Sequence, residues 1–133
     1  GQEFDRLLHQ EGAQIALVSY GTLTEEVLKA EKILAQKGIA CDVYKLTKLY
    51  PLPEGFASEV AAHSCILFAE DSIRRGGTGS YLAEDLLEIG WQGKYLYKAI
   101  NRNCLPHGTV PQLRQVLGLT GKQLAEAVEE AWR

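Results

Sequence analysis

Two short apolar runs constrain the fold of this chain more than any other feature. Segments 15–20 and 65–69 read Ile-Ala-Leu-Val-Ser-Tyr and Cys-Ile-Leu-Phe-Ala, with no charged residue in either. A strand with one face in water alternates apolar and polar side chains, whereas a strand covered on both faces is apolar throughout. Both runs have the length of strands and are followed by glycine-containing polar segments. They therefore predict two central strands of a sheet that has helices on both faces.

Helical patterns alternate with these strands. After the first run, apolar residues recur at helical spacing from Leu23 to Leu34, with Thr24 placed as the N-cap and Gly38 as the stop. The same kind of reading predicts further strands at 4–9, 41–46 and 95–100, and further helices at 54–63, 80–89, 110–117 and 120–132. The alternation predicts an α/β fold: a three-layer α/β/α sandwich of about five strands, mostly parallel. Segment 4–9 is expected to add one antiparallel edge strand.

Length and composition exclude several classes of protein. A chain of 133 residues predicts one domain, residues 1–133. A net charge of −3 argues against nucleic acid as a partner, and no apolar run approaches the ~20 residues that cross a bilayer. Because the chain starts at Gly1 and has no methionine, we expect a fragment of a longer protein. Its cysteines (Cys41, Cys65 and Cys104) lack metal-ligand spacing, so we expect reduced thiols in a cytoplasmic protein.

The polar segment after the second apolar run is the first candidate site. Glycine N–H groups just before a helix can bind an anion, and two arginines would add positive charge. The segment lacks the Lys-Ser/Thr of a P-loop and is not GxGxxG. It could equally serve as an interface, or its glycines could allow close backbone packing while Arg74 pairs with Glu70 or Asp71. The candidate interface or anion residues are Glu70, Asp71, Arg74, Arg75, Gly76, Gly77, Gly79 and Ser80.

Two other loops are weaker candidates. Prolines hold Tyr50 and Leu52 extended, which suits either a docking surface or packing at the edge of the core. His107 could exchange a proton near neutral pH, and Cys104 lies three residues before it, but no linear signal supplies an orienting partner. No catalytic residue is therefore assigned. His9 and His63 are interpreted as surface residues that flank secondary structure.

Four segments follow one another in an order that matches a known family. They are Glu11-Gly12 with the strand and turn up to Thr22, Lys48–Pro53, Glu70–Ser80, and Leu105–Gly108 with Leu117–Thr120. Together they resemble the C-terminal domain of the transketolase superfamily, and within it the 1-deoxy-D-xylulose-5-phosphate synthases. Asp71 and Ser72 stand where the family usually has Glu and Asn, and Tyr50 and Pro53 depart from its K-P-L-D loop. The resemblance covers residues 6–133.

The resemblance implies a parent enzyme that uses thiamine diphosphate and Mg²⁺. Such an enzyme decarboxylates pyruvate and transfers the two-carbon unit to glyceraldehyde 3-phosphate, which feeds isoprenoid, thiamine and pyridoxal biosynthesis. The family carries its cofactor and acid–base residues on two preceding domains. The Gly-Asp-Gly magnesium motif with a following Asn is absent here, so no cofactor or metal ligand is assigned to this domain. The implied partners are the preceding pyrimidine-binding domain and a second copy in a homodimer, with the loop from Glu70 to Ser80 as the contact.

Other interpretations stay open at this point. The parent could be a transketolase or the beta subunit of a 2-oxo acid dehydrogenase, which share the architecture. The chain could also be a free-standing regulatory domain that binds an anion or nucleotide through Gly76 to Ser80. A third possibility is an interaction module with an exposed apolar patch around Tyr50 and Leu52.

Overall fold

The computed structural model describes residues 3–49, 51–70, 77–99 and 119–132. The strands are β1 (Phe4–Leu8), β2 (Ile15–Ser19), β3 (Cys41–Leu46), β4 (Cys65–Glu70) and β5 (Lys94–Ala99). The helices of this part of the chain are α1 (Leu23–Gln36), α2 (Phe56–Val60), α3 (Thr78–Glu88) and α4 (Gly121–Trp132). The helix predicted at 110–117 lies outside the described residues. None of the described helices is long and apolar enough to cross a membrane.

The five strands form one sheet in the order β1-β3-β2-β4-β5. Strands β3, β2, β4 and β5 are parallel, and β1 pairs antiparallel with β3 at the edge. Every residue of β2 and of β4 is buried, as expected for strands covered on both faces. The predicted fold class, a mostly parallel sandwich with one antiparallel edge strand, is confirmed.

Alternation along the strands divides the interior into two cores. Ile15 and Leu17 of β2 point to one face, and Ala16 and Val18 point to the other. The first face packs against α1 and α4, and the second packs against α2 and α3. The first core includes Val27, Leu34, Val43, Leu67, Leu124 and Val128, and the second includes Tyr44, Phe56, Val60, Phe68, Leu82 and Leu86.

Several predicted element boundaries were wrong. Helix α1 begins at Leu23 after a turn at Gly21 and Thr22, so Thr24 lies inside the helix, where its Oγ1 accepts a hydrogen bond from Ser19 Oγ at 3.1 Å. Helix α2 is shorter than predicted because Gly55, at φ +83°, adopts the left-handed backbone that precedes its first turn. Ile89, the last residue of the helix predicted at 80–89, follows the end of α3 and is 49% exposed.

Strand β1 contains an irregularity that sets the direction of the chain after it. Arg6 pairs with Tyr44 and Leu8 pairs with Val43, so Leu7 is an extra residue in the ladder. Leu7 is exposed, whereas Leu8 packs against the first core. The bulge thus leads the following residues over the amino ends of the parallel strands.

Helices α1 and α4 approach closely at Gly121. The Gly121 N–H donates to Glu26 Oε1 at 2.8 Å, which satisfies a free N–H group at the start of α4. A Cβ atom at this position would lie 2.5 Å from Lys29 Cβ and 3.0 Å from the Glu26 carbonyl oxygen. Only glycine fits without moving one of the two helices.

We expect Gly121→Ala to lower the free energy of unfolding by about 1–3 kcal/mol, because the added methyl group overpacks the α1–α4 contact. Urea denaturation measures the effect. Lys122→Ala, at an exposed position of the same helix, is the control and should change stability by less than about 0.5 kcal/mol. Equal stability of both variants would contradict the close packing of the two helices.

Candidate functional site

Glu70 ends β4 at the carboxyl edge of the sheet, where parallel folds place their ligand-binding loops. Its side chain is fully buried. The carboxylate accepts hydrogen bonds from the N–H groups of Thr78 (3.2 Å, to Oε2) and Gly79 (2.9 Å, to Oε1). These N–H groups belong to the first turn of α3, where the helix dipole favours negative charge. Glu70 therefore caps α3 from the neighbouring strand.

Two tyrosines complete the surroundings of this carboxylate. Tyr20, just after β2, donates its hydroxyl to Oε2 at 2.8 Å, and Tyr97 of β5 donates to Oε1. Both rings pack edge-on against Phe68 of β4, with centroids 6.4 and 6.2 Å from its ring. With four donors, two on each oxygen, the cost of burying the charge is offset. The carboxylate joins β2, β4, β5 and α3.

Gly79 is needed at this site because Tyr97 leaves no room for a side chain. A Cβ atom there would lie 2.2 Å from Tyr97 Cε1. The Gly79 carbonyl accepts a hydrogen bond from Tyr95 Oη at 2.7 Å. Burial, with Tyr97 and Glu70 nearby, raises the pKa of Tyr95, so its hydroxyl remains a neutral donor. Of the alternatives for this segment, close backbone packing is the role that the surroundings of Gly79 support.

The remaining candidate residues of the segment from Glu70 to Ser80 show no ligand-binding arrangement where the structure describes them. Gly77 is the buried N-cap of α3, and the Ser80 N–H donates to its carbonyl oxygen at 2.9 Å. Thr78 Oγ1 is buried and has no hydrogen-bond partner among the described residues. The N–H groups of Thr78 and Gly79, which an anion would need, are bonded to Glu70. Asp71, Arg74, Arg75 and Gly76 lie outside the described residues, as do Tyr50, Cys104 and His107.

Leu52 packs at the edge of the core. It is half-buried against the second core, so packing is the alternative that its surroundings support. The largest exposed apolar side chains among the described residues lie elsewhere. Tyr81 and Leu87 are on α3, Ile89 follows it, and Leu7 is at the bulge of β1.

A second buried carboxylate lies at the opposite, amino edge of the sheet. Asp42, near the start of β3, is 2% exposed. Its Oδ2 lies 2.7 Å from His63 Nε2 and 3.1 Å from His9 Nδ1, and its Oδ1 accepts the Gln10 N–H at 2.7 Å. Burial alone would raise the pKa of Asp42, but the hydrogen bonds from His63, Gln10 and His9 outweigh burial and lower it. Asp42 therefore holds a charge beneath the β1–β2 connection.

The interpretation of His63 as a surface residue was wrong. The side chain is only 5% exposed because it lies over Asp42 and against the Tyr44 ring, with centroids 5.9 Å apart. A buried imidazole is tolerated when each ring nitrogen has a partner, and both of these do. His9 is about half exposed, as expected, although it too contacts Asp42.

Cys41 and Cys65 are free thiols, and both are buried. They flank Ile15 on the two neighbouring strands, so their Cα atoms are about 9–10 Å apart, beyond the reach of a disulfide. Burial, with Glu31, Cys65 and Asp42 nearby, raises the pKa of Cys41 to about 12, which keeps this thiol unreactive. Within the described ranges, no group of three or more His, Cys, Asp or Glu side chains could hold a metal ion.

Comparison with solved structures identifies the class of fold. The chain superposes with a TM-score of 0.80 on a split-gene transketolase described as an inactive beta4 tetramer, at 28% identity over 96% of this chain and 41% of that one. It superposes on transketolase from Pichia stipitis with a TM-score of 0.70 and 20% identity, over 98% of this chain and 18% of that one. The second likeness concerns the fold alone.

The sequence matches the family "Transketolase, C-terminal domain" over residues 6–124, and the chain belongs to this family. It is 34% identical to the 1-deoxy-D-xylulose-5-phosphate synthase of Thermotoga petrophila over 120 residues, which cover 88% of this chain and 18% of that protein. The synthase of Azobacteroides pseudotrichonymphae is 28% identical over 122 residues, 91% of this chain and 19% of that protein. The chain thus spans about a fifth of these relatives, and the likeness to this enzyme group is confirmed.

We expect Glu70→Gln to lower the free energy of unfolding by about 1–3 kcal/mol, because an amide NH₂ would face a backbone N–H that cannot turn to accept a bond. Urea denaturation measures the loss. Glu84→Gln makes the same change at an exposed position of α3 and should be nearly neutral. If the two variants were equally stable, the carboxylate network would not hold the carboxyl edge.

Asp42 should make the domain sensitive to acid. Folding lowers the pKa of Asp42, so the ionised side chain stabilises the fold above the pKa of about 3.9 that an aspartate has in the unfolded chain. This stabilisation is lost as the pH falls below that value. We expect Asp42→Asn to be less stable than the parent chain at pH 6 and to lose less stability between pH 5 and pH 2. Thermal unfolding across this range checks the prediction, with Asp85→Asn of α3 as the control. An unchanged acid profile in Asp42→Asn would refute it.

Proposed function

We propose that this chain serves as the C-terminal domain of a cytoplasmic 1-deoxy-D-xylulose-5-phosphate synthase, without catalytic activity of its own. The proposal rests on how much of each protein the sequence match covers. The match spans most of this chain but only 18–19% of the length of the synthases that resemble it. The catalytic steps implied by the family would then occur on the preceding domains. There, pyruvate would lose CO₂, and its two-carbon unit would pass to glyceraldehyde 3-phosphate.

The described residues do not fit a bound thiamine diphosphate with its Mg²⁺. A diphosphate needs N–H donors and positive charge, yet the N-terminus of α3 already holds the buried Glu70 carboxylate. A magnesium site needs several oxygen ligands that are free to coordinate, whereas both oxygens of Glu70 and of Asp42 are engaged by protein donors. No catalytic step is therefore assigned to this chain.

The role we propose is to support the parent homodimer and to pack on its pyrimidine-binding domain through the loop after β4. The hydrogen bonds from Thr78 and Gly79 to Glu70 join the two ends of this loop to each other. Tyr20 and Tyr97 hold the same carboxylate against β2 and β5. A loop whose two ends are fixed in this way loses less conformational freedom when a partner binds, which favours its use as a contact.

Replacing the C-terminal domain of the Thermotoga maritima synthase, a 33% identical relative, with this chain tests the proposal. We expect a dimeric chimaera that forms 1-deoxy-D-xylulose 5-phosphate, and a Glu70→Gln chimaera with a weakened dimer. The matched control is the same replacement in the transketolase of Campylobacter jejuni, another structural neighbour. Activity in the transketolase chimaera alone would favour a transketolase parent.

The isolated chain provides the second arm of the test. Incubated with pyruvate, thiamine diphosphate and Mg²⁺, it should release no CO₂, and its melting temperature should not change with the cofactor. Millimolar phosphate or nucleotide should likewise leave the melting temperature unchanged, because Glu70 occupies the anion position. Turnover of pyruvate would refute the absence of catalysis. A phosphate-dependent rise that Arg75→Ala abolishes would favour the anion-binding regulator.

A further inference from the structure

Both ring nitrogens of His63 face hydrogen-bond acceptors. Nδ1 lies 2.9 Å from the Val60 carbonyl oxygen, and Nε2 lies 2.7 Å from Asp42 Oδ2. A carbonyl oxygen and an ionised carboxylate can only accept, so each ring nitrogen must carry a hydrogen to bond them. Both hydrogen bonds are satisfied when His63 is a doubly protonated imidazolium paired with Asp42.

Asp42 also holds the connection between β1 and β2. Its Oδ1 accepts the Gln10 N–H at 2.7 Å, and His9 Nδ1 lies 3.1 Å from its Oδ2. The Gln10 side-chain amide donates to Glu31 Oε2 and to the Cys41 carbonyl oxygen, both at 3.1 Å. If His63 lost one proton, a lone pair would face either Asp42 or Val60, and the buried carboxylate would lose its main counter-charge.

We propose that Asp42, His63 and His9 form a proton-controlled latch, in which protonated His63 keeps Asp42 as the anion that ties the β1–β2 connection to the sheet, and loss of the His63 proton at alkaline pH releases that connection. The inference is independent of the proposed function. Its sign follows from the geometry: each ring nitrogen of His63 faces an acceptor, so the pair is stabilised while His63 carries both protons and is weakened when one is lost.

The other titratable and charged groups around the latch come from several elements of the fold. Tyr44 of β3 contacts the His63 ring and donates to Glu59 of α2 at 2.8 Å. Burial, followed by Glu59, raises the pKa of Tyr44, so it stays neutral. Burial also raises the pKa of Cys65 in β4. The charged groups nearby are Glu31 of α1 through Gln10, Arg6 of β1 beside Glu59, and Lys94 of β5.

The latch borders an open recess that connects it with solvent. The recess has a volume of about 560 Å³, and its walls include His63, Lys94 and the indoles of Trp91 and Trp132. Trp91 donates its indole N–H to the His63 carbonyl oxygen at 2.8 Å, so its fluorescence should respond when the latch opens.

Trp132→Phe makes Trp91 the only tryptophan, since the chain has two. In this variant we expect a change in Trp91 emission and a falling urea midpoint between pH 6 and pH 9. Over the same range, the protection of the Gln10 amide against hydrogen exchange should fall by about tenfold or more after correction for intrinsic exchange. Asp42→Asn, added to Trp132→Phe, should abolish the alkaline transition, whereas His9→Gln should retain most of it.

Nitrogen-15 NMR of the unsubstituted chain gives a test that does not depend on a variant folding. At pH 7 both ring nitrogens of His63 should carry protons. An unprotonated ring nitrogen on His63 at pH 7 would overturn the latch. The same emission change in the Asp42→Asn background would also overturn it.

Discussion

The carboxylate of Glu70 is the interaction on which the carboxyl edge of this domain depends. A buried charge is tolerated only where donors surround it, and here they come from β2, from β5 and from the first turn of α3. Because these elements meet at one side chain, the strand ends and the helix start are fixed relative to each other. Glu70 at the end of β4 and the first turn of α3 are thereby held next to each other.

This arrangement also bears on what the domain can do chemically. A catalytic carboxylate needs a free oxygen facing the substrate, whereas both oxygens of Glu70 face tyrosines and backbone N–H groups. The amino edge follows the same principle, with Asp42 surrounded by His63, His9 and the Gln10 N–H. Each edge of the sheet therefore holds a buried carboxylate whose two oxygens are engaged by donors of the protein itself.

The architecture could be predicted from the sequence because burial on both faces leaves an unmistakable pattern. The uncharged runs at β2 and β4 gave the centre of the sheet, and the helical spacing of Leu23, Val27 and Leu34 gave the helix beside it. Helix boundaries were predicted less well. A threonine can lie one turn inside a helix and bond to a neighbouring strand, as Thr24 does with Ser19.

The partners within each site could not be predicted, because they come together only in the fold. Glu70 was singled out from its position before glycines, but Tyr20 lies 50 residues before it and Tyr97 lies 27 residues after it. His63 was expected at the surface since an isolated histidine prefers water. Its partner, Asp42, is 21 residues away on β3, whereas His63 lies between α2 and β4. Polarity does not determine burial when a complementary group is present.

The most direct test of the central claim is the hydrogen-exchange protection of the Thr78 and Gly79 amides in the isolated chain. These are first-turn amides without partners inside their helix, so only the Glu70 carboxylate protects them. The account predicts protection close to that of the β4 amides, unchanged by added phosphate. Exchange as fast as that of an exposed loop, or protection that appears only with phosphate, would contradict it.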